Sequence, residues 1–176
     1  MNKQDLEKAI YKASHLTGSF KLRSGQMSDQ YFDKFQFESD PRLLFAITNE
    51  LKQLLPRDTE IIAGIEMGGI PIATALSLAT GIPAVFVRKE AKAYGTCKLA
   101  EGVDIAGKRV CIIEDVVTTG GQIILSAREL AAYGAKLSTV LCVIERGYSG
   151  SMNLEIEGLK LVSLFQMNKA VSAQQQ

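Results

Sequence analysis

The sequence predicts an α/β fold: a central, mainly parallel sheet flanked by helices. Three observations lead there. Continuous apolar runs recur along the chain, namely "EIIAGI", "AVFVRK", "RVCIIED", "STVLCVIE" and "KLVSLF". Stretches with helical spacing separate several of them. The runs do not alternate with polar residues, so they read as strands buried on both faces rather than one.

The elements follow in order. Residues 3–15 form an amphipathic helix with Leu6, Ile10 and Ala13 on one face. "SDPRLLFAITNELKQLL" begins a second helix. Asp40 is its N-cap, Pro41 suits the first turn, and Leu44, Ile47, Leu51 and Leu54 make its stripe. Strand "EIIAGI" leads through "EMGG" into helix "IPIATALSLAT", which Gly81 closes. Strand "AVFVRK" precedes a polar stretch, 90–108. Strand "RVCIIED" then feeds a helix from about Gly121 to Tyr133, with Gly134 beyond its end. Two more strands complete the pattern, and the tail "VSAQQQ" is expected to fray.

The bulk numbers bound the function. A chain of 176 residues fits a single domain, 1–176. Hydrophobic residues at 47% and charged residues at 22% place it among soluble globular proteins. A net charge of +1 provides no broad field for nucleic acid or a membrane surface, so any anion site is a local cluster. No apolar run approaches the roughly 20 residues of a membrane span. No signal-peptide core opens the chain, and Cys97, Cys111 and Cys142 lack metal-ligand spacing. The expectation is a reduced, cytoplasmic setting with Cys111 and Cys142 as core thiols. His15, the only histidine, falls near the end of the first helix and reads as a surface or packing residue.

The most unusual segment is "CIIEDVVTTGG", residues 111–121. In a parallel sheet, ligands bind beyond the carboxyl ends of strands. Glu114 and Asp115 are expected to emerge at that rim. Thr118, Thr119, Gly120 and Gly121 lead into a helix N-terminus, where free N–H groups and the helix dipole favour an anion. Carboxylates only accept hydrogen bonds, so they suit hydroxyls or a cation. A sugar phosphate meets both demands. An ordinary strand–loop–helix connection remains open on this segment alone, since Thr and Gly are common turn residues. Neither a P-loop nor G-x-G-x-x-G is present. A second cluster, "VRKEAKAYGTCKLAEG", residues 87–102, carries Arg88, Lys89, Lys92 and Lys98 within a long connection. Such a loop is either a solvated charged segment or a cationic lid.

"IIEDVVTTGG" resembles the phosphoribosyl pyrophosphate (PRPP) motif of type I phosphoribosyltransferases. "RKEAKAYGTCKLAEG" is similar to the lid of orotate phosphoribosyltransferases, R-K-E-x-K-D-[HY]-G. "GSFKLRSGQMSDQYFD", residues 18–33, is similar to that family's base-binding segment, and Arg146 in "VIERGYSG" matches its E-R or D-R. Four matches in order, from residue 18 to about 150, carry the resemblance. It implies the type I phosphoribosyltransferase fold, with a small N-terminal hood and a flexible lid loop.

It also implies roles. The PRPP site would comprise Glu114, Asp115, Val116, Val117, Thr118, Thr119, Gly120, Gly121 and Gln122. Thr118 to Gln122 would cradle the 5′-phosphate, and the two acids would hold the ribose hydroxyls. Arg88, Lys89 and Lys92 would bind pyrophosphate. Lys89, Lys92 and Tyr94 would reach across a homodimer. Arg146, Arg23 and Thr118 would contact orotate. Mg2+ would ride on PRPP, with no direct protein ligand. Lys92, Asp115 and Glu114 would be catalytic. Three departures stand out: Ala93 replaces the lid Asp, Tyr94 stands where some members have His, and loop 66–69 lacks the lysine of many relatives. An uncharged base such as uracil or a purine gives no reason for a carboxylate clamp. A non-enzymatic nucleotide sensor gives no reason for an intact lid. Lys92→Ala is expected to lower kcat ~100-fold, as loss of one preorganised donor does; an unchanged turnover number would remove Lys92 from the chemistry.

Overall fold

The computed structural model describes residues 1–22, 24–90 and 99–167. Its core is a six-stranded sheet of β3 (Ile61–Ile65), β4 (Ala84–Val87), β5 (Ala100–Glu101), β6 (Arg109–Val117), β7 (Lys136–Arg146) and β8 (Lys160–Met167). The order is β5-β4-β3-β6-β7-β8. Every pairing is parallel except the short edge strand β5, which runs antiparallel to β4. The predicted runs are these strands, with β6, β7 and β8 longer than expected and β4 ending at Val87 rather than running through Arg88 and Lys89. The polar stretch 90–108 contains β5, too short to produce a periodic signal.

Residues on alternate sides of each strand build two cores. Ala63, Ile112 and Val140 face α5 (Gly121–Ala132) and α6 (Ser149–Ile156). Ile62, Ile113 and Leu141 face α3 (Pro41–Leu54) and α4 (Gly69–Thr80). Each large apolar side chain buried in full contributes roughly 1.5–3 kcal/mol. Cys111 and Cys142 are buried free thiols, while Cys97 lies outside the described residues.

Helix starts follow the capping chemistry. Asp40 accepts from the Arg42 N–H at 2.8 Å ahead of Pro41. The buried arc of α3 is Leu43, Ile47, Thr48 and Leu51; Leu44 and Leu54 are only partly buried. The expected stripe is thus rotated, because α3 packs against α4 as well as against β7 and β8. Helix α4 lies so close to the sheet that a Cβ at Gly64 would meet the Gly69 carbonyl oxygen at 2.6 Å.

The N-terminal part forms a hood. Helix α1 (Lys3–Ser14) buries Leu6 and Ile10, and a hairpin follows of β1 (His15–Lys21) and β2 (Met27–Phe32). His15 opens β1 rather than ending α1. The hairpin is mostly exposed and polar, so it carries no apolar run to mark it. Helix α2 (Phe35–Ser39) then fastens the hood through Phe37, which is fully buried. Among the described residues, no helix is long and apolar enough to cross a membrane.

Phe37→Ala is expected to destabilise the protein by about 3–5 kcal/mol, the cost of emptying an aromatic core site. Denaturant unfolding measures it; a loss below 1 kcal/mol would show that α2 is not anchored there.

Candidate active site

Strand order reverses between β3 and β6: β4 lies to one side of β3, and β6, later in the chain, to the other. Such a switch opens a crevice at the strands' carboxyl ends. Two connections line it here, 66–69 after β3 and 118–120 after β6.

The second connection is a tight turn. Gly120 has φ 75°, a left-handed value that a side chain resists. A Cβ at Gly120 would also meet Leu154 at 3.2 Å. Asn153 donates to the Thr119 carbonyl at 2.9 Å, tying the turn to α6. No side chain caps α5, so its first N–H groups stay available. Thr118, Thr119 and Gly121 are exposed beside them, with Gln122 half-buried.

The two acids separate. Glu114 is half-buried at the rim, whereas Asp115 is fully buried beneath it. Expectation placed both at the rim. The strand continues to Val117, and Asp115 is covered by α2 and by the loop after β3. Its Oδ2 lies 2.6 Å from Lys34 Nζ, and its Oδ1 accepts from the Val116 N–H. A Cβ at Gly68 would overlap Oδ2, and would come within 2.9 Å of Glu38 Oε1. Only glycine lets loop 66–69 lie against these carboxyls.

Charge is settled by that crowding. Burial alone would raise the pKa of Asp115, but hydrogen bonds from Glu114, Glu38 and Lys34, and the charge of Lys34, hold it below the ordinary value. Burial and the neighbouring Asp115 push Glu38 up to about 9. The same two causes raise Glu114 well above the usual range. Burial would lower Lys34, yet its partner Asp115 outweighs that and raises it. Neither Glu38 oxygen has a hydrogen-bond partner among the described residues, and a buried carboxyl without a donor favours its neutral form. Within the cluster, Asp115 is the carboxyl whose surroundings favour the charged form, and Glu38 and Glu114 are the two that burial pushes toward the neutral form.

Arg146, at the end of β7, lies over the Phe32 ring at 4.5 Å. Its Nε has no hydrogen-bond partner among the described residues. Burial lowers its pKa, although a guanidinium stays charged. It lines a cavity of about 820 Å3 with Tyr31, Phe32, Thr118 and Thr119. Glu145 beside it is buried and accepts from the Ser151 N–H at 3.1 Å and from Gln166 Nε2 at 2.8 Å, which anchors this corner. A planar anion entering from the turn would meet an aromatic wall and a guanidinium.

Comparison with known proteins agrees with this geometry. The phosphoribosyl transferase domain matches residues 28–155. An orotate phosphoribosyltransferase of Nocardioides sp. is 53% identical over 146 residues, 83% of this chain and 82% of its own length. One from Methanocella arvoryzae is 42% identical over 84% of each chain. The chain belongs to the orotate phosphoribosyltransferase family. The Mycobacterium tuberculosis family member, crystallised with PRPP, superposes with a TM-score of 0.80 at 26% identity, covering 94% of this chain and 96% of its own.

The orotate phosphoribosyltransferase residues expected from sequence fall into three groups. Glu114 to Gln122 and Arg146 converge on the crevice and its adjoining cavity. Arg88 and Lys89 follow β4. The Arg88 side chain faces Glu101, with Nε to Oε1 3.6 Å, and the Lys89 N–H donates to Glu66 Oε1 at 2.7 Å, joining loop 66–69 to this end. Arg23, Lys92, Tyr94 and the rest of 91–98 lie outside the described residues. Lys34 and Glu38 were not foreseen. They follow the family-like segment 18–33 immediately, and the available signal was two ionisable residues four apart among Phe35 and Phe37.

A carboxyl with a raised folded pKa stabilises the fold fully below its unfolded pKa. That stability is lost as pH climbs through the folded value. For Glu38 the window runs from its ordinary 4.5 up to about 9. Glutamine keeps a donor toward Asp115 without a proton to lose. Glu38→Gln is therefore expected to gain Tm relative to the unsubstituted protein progressively from pH 5 to 9. Parallel Tm curves across that range would refute the neutral acid.

Proposed function

We propose that the protein is an orotate phosphoribosyltransferase serving UMP synthesis. It transfers ribose 5-phosphate from PRPP to orotate, releasing orotidine 5′-phosphate and pyrophosphate. The observation that carries the substrate is Arg146, a guanidinium over the Phe32 ring beside the Thr118–Gly120 turn, whose Nε has no hydrogen-bond partner among the described residues. Its fork suits the orotate carboxylate bidentately. Thr118 adds a donor and Tyr31 a flanking ring, and the resemblance of segment 18–33 to the family's base-binding segment supports Arg23 as a second contact to the base.

The turn from Thr118 to Gln122 takes the 5′-phosphate through backbone N–H groups, threonine hydroxyls and the dipole of α5. Val116 and Val117 bring the chain to it. Glu114 and Asp115 form the acceptor set for the ribose hydroxyls, with Glu114 at the surface and Asp115 behind it. PRPP enters as its magnesium complex, the metal held by the substrate's own oxygens. Arg88, Lys89 and Lys92 attend the pyrophosphate, with Lys89, Lys92 and Tyr94 supplied across a homodimer. As the ribose–pyrophosphate bond breaks, the sugar becomes oxocarbenium-like. The carboxylate charge beneath it favours that cation, and the basic side chains offset charge growing on the leaving group. Lid closure excludes water. The setting is cytoplasmic.

The deciding experiment mixes protein, magnesium, PRPP and a base, and follows absorbance of orotate, uracil and hypoxanthine in turn. Orotate consumption is expected; uracil consumption without orotate would overturn the substrate. Arg146→Leu is expected to lower kcat/KM for orotate ~30–100-fold, the worth of a charged hydrogen-bond pair, with PRPP binding by calorimetry unchanged. Equal loss of PRPP binding would place Arg146 elsewhere in the reaction.

A further inference from the structure

The cluster beneath the ribose site holds more acid than the acceptor role needs. Three carboxyl groups meet there, Glu38, Glu114 and Asp115, and one cation answers them, Lys34. The Lys34 ammonium reaches Asp115 Oδ2 at 2.6 Å while its side chain stays 35% exposed, and Asp115 itself is shut from solvent. The Lys34 ammonium also lies 5.5 Å from the Phe35 ring centroid. We propose that Lys34 is a positioning residue for the transfer reaction: by pairing with Oδ2 it holds the negative charge of Asp115 in place beneath the ribose site.

The argument rests on what each neighbour of Asp115 can provide. From the segment before α2 comes Lys34, and from α2 comes Glu38. From β6 itself comes Glu114. From β7 comes Cys142, a buried thiol pushed up by burial and therefore neutral. Loop 66–69 contributes backbone alone, since a side chain at Gly68 would overlap the carboxylate. Lys34 is thus the one positive group this set supplies. A buried carboxylate deprived of its counter-charge among the described residues takes up a proton rather than remain ionised. Without Lys34 the three acids would share an extra proton, and Asp115 would lose the charge that favours an oxocarbenium. Lys34 acts through Asp115, so its loss should register in PRPP use and in pH dependence rather than in orotate recognition.

This inference rests on the reading of Glu114 and Asp115 as the ribose acceptors. The test therefore begins with the unsubstituted protein: orotate consumption with PRPP and magnesium establishes the parent activity, and its failure would sink that reading rather than this one. Lys34→Met keeps the chain length and removes the charge. The expected result is a KM for PRPP raised about tenfold or more, an unchanged KM for orotate, and an acidic limb of kcat/KM for PRPP displaced to higher pH. The direction follows from the sign: Lys34 lowers the pKa of Asp115, so its removal makes Asp115 protonate at higher pH. Lys34→Arg is expected to restore the limb. Should the methionine variant not fold, Lys34→Gln offers a neutral donor to the same oxygen and the same displaced limb. An acidic limb and a PRPP KM identical to the parent's, in a folded uncharged variant, would overturn the proposal. A fall in Tm with no movement of the limb would do so equally, since it would leave Lys34 a purely structural ion pair.

Discussion

A buried charge organises this end of the molecule. Asp115 sits at the carboxyl end of a central strand, closed off from solvent, with the Lys34 ammonium against one carboxylate oxygen and the Val116 N–H against the other. Everything that meets it does so at a cost in sequence freedom. Position 68 must lack a side chain, α2 must hold Glu38 against it, and the chain entering α2 must bring an ammonium within hydrogen-bond reach. Phe37 serves the same end from the apolar side by seating α2 in the core. The acidic pair, the loop after β3 and the hood are therefore coupled through one oxygen atom.

The crevice combines two electrostatic surroundings a few residues apart. Around Asp115 the charges are paired and dry. At the turn after β6, N–H groups, hydroxyls and a helix dipole lie open to solvent. A phosphorylated sugar asks for both. Its phosphate needs donors that do not have to be stripped from other partners, and its hydroxyls need acceptors with settled charge. The strand that links the two settings, β6, is paired on both sides, with β3 and with β7, and its rigidity sets their spacing. Arg146 adds a third setting one strand away, where an aromatic ring replaces water on one face of a guanidinium.

The hood makes that third setting possible. Without α1 and the β1–β2 hairpin, Phe32 and Tyr31 would not close over the end of β7, and Arg146 would be an ordinary surface cation. Glu145, adjacent in sequence, takes the structural duty instead. It holds the start of α6 and the end of β8, while the Arg146 Nε has no hydrogen-bond partner among the described residues.

Much of this was legible beforehand. Continuous apolar runs marked five strands of the sheet, and Asp40, Pro41, Gly81 and Gly134 marked helix ends, because burial and capping act over a few neighbouring residues. The turn at Thr118–Gly121 was legible for the same reason, whereas Arg146 was singled out only by its resemblance to the family's E-R pair. The β1–β2 hairpin was not, since its exposed residues follow no apolar period. The rotation of α3 toward Leu43 was set by its second packing partner. The separation of Glu114 from Asp115, and the gathering of Lys34, Glu38 and Gly68 around the latter, required the sheet order that places β3 beside β6. By itself the chain determined which elements form and where a phosphate turn begins. Only the tertiary structure decided which acid is buried and what keeps it charged, because desolvation and counter-charge depend on residues distant in sequence.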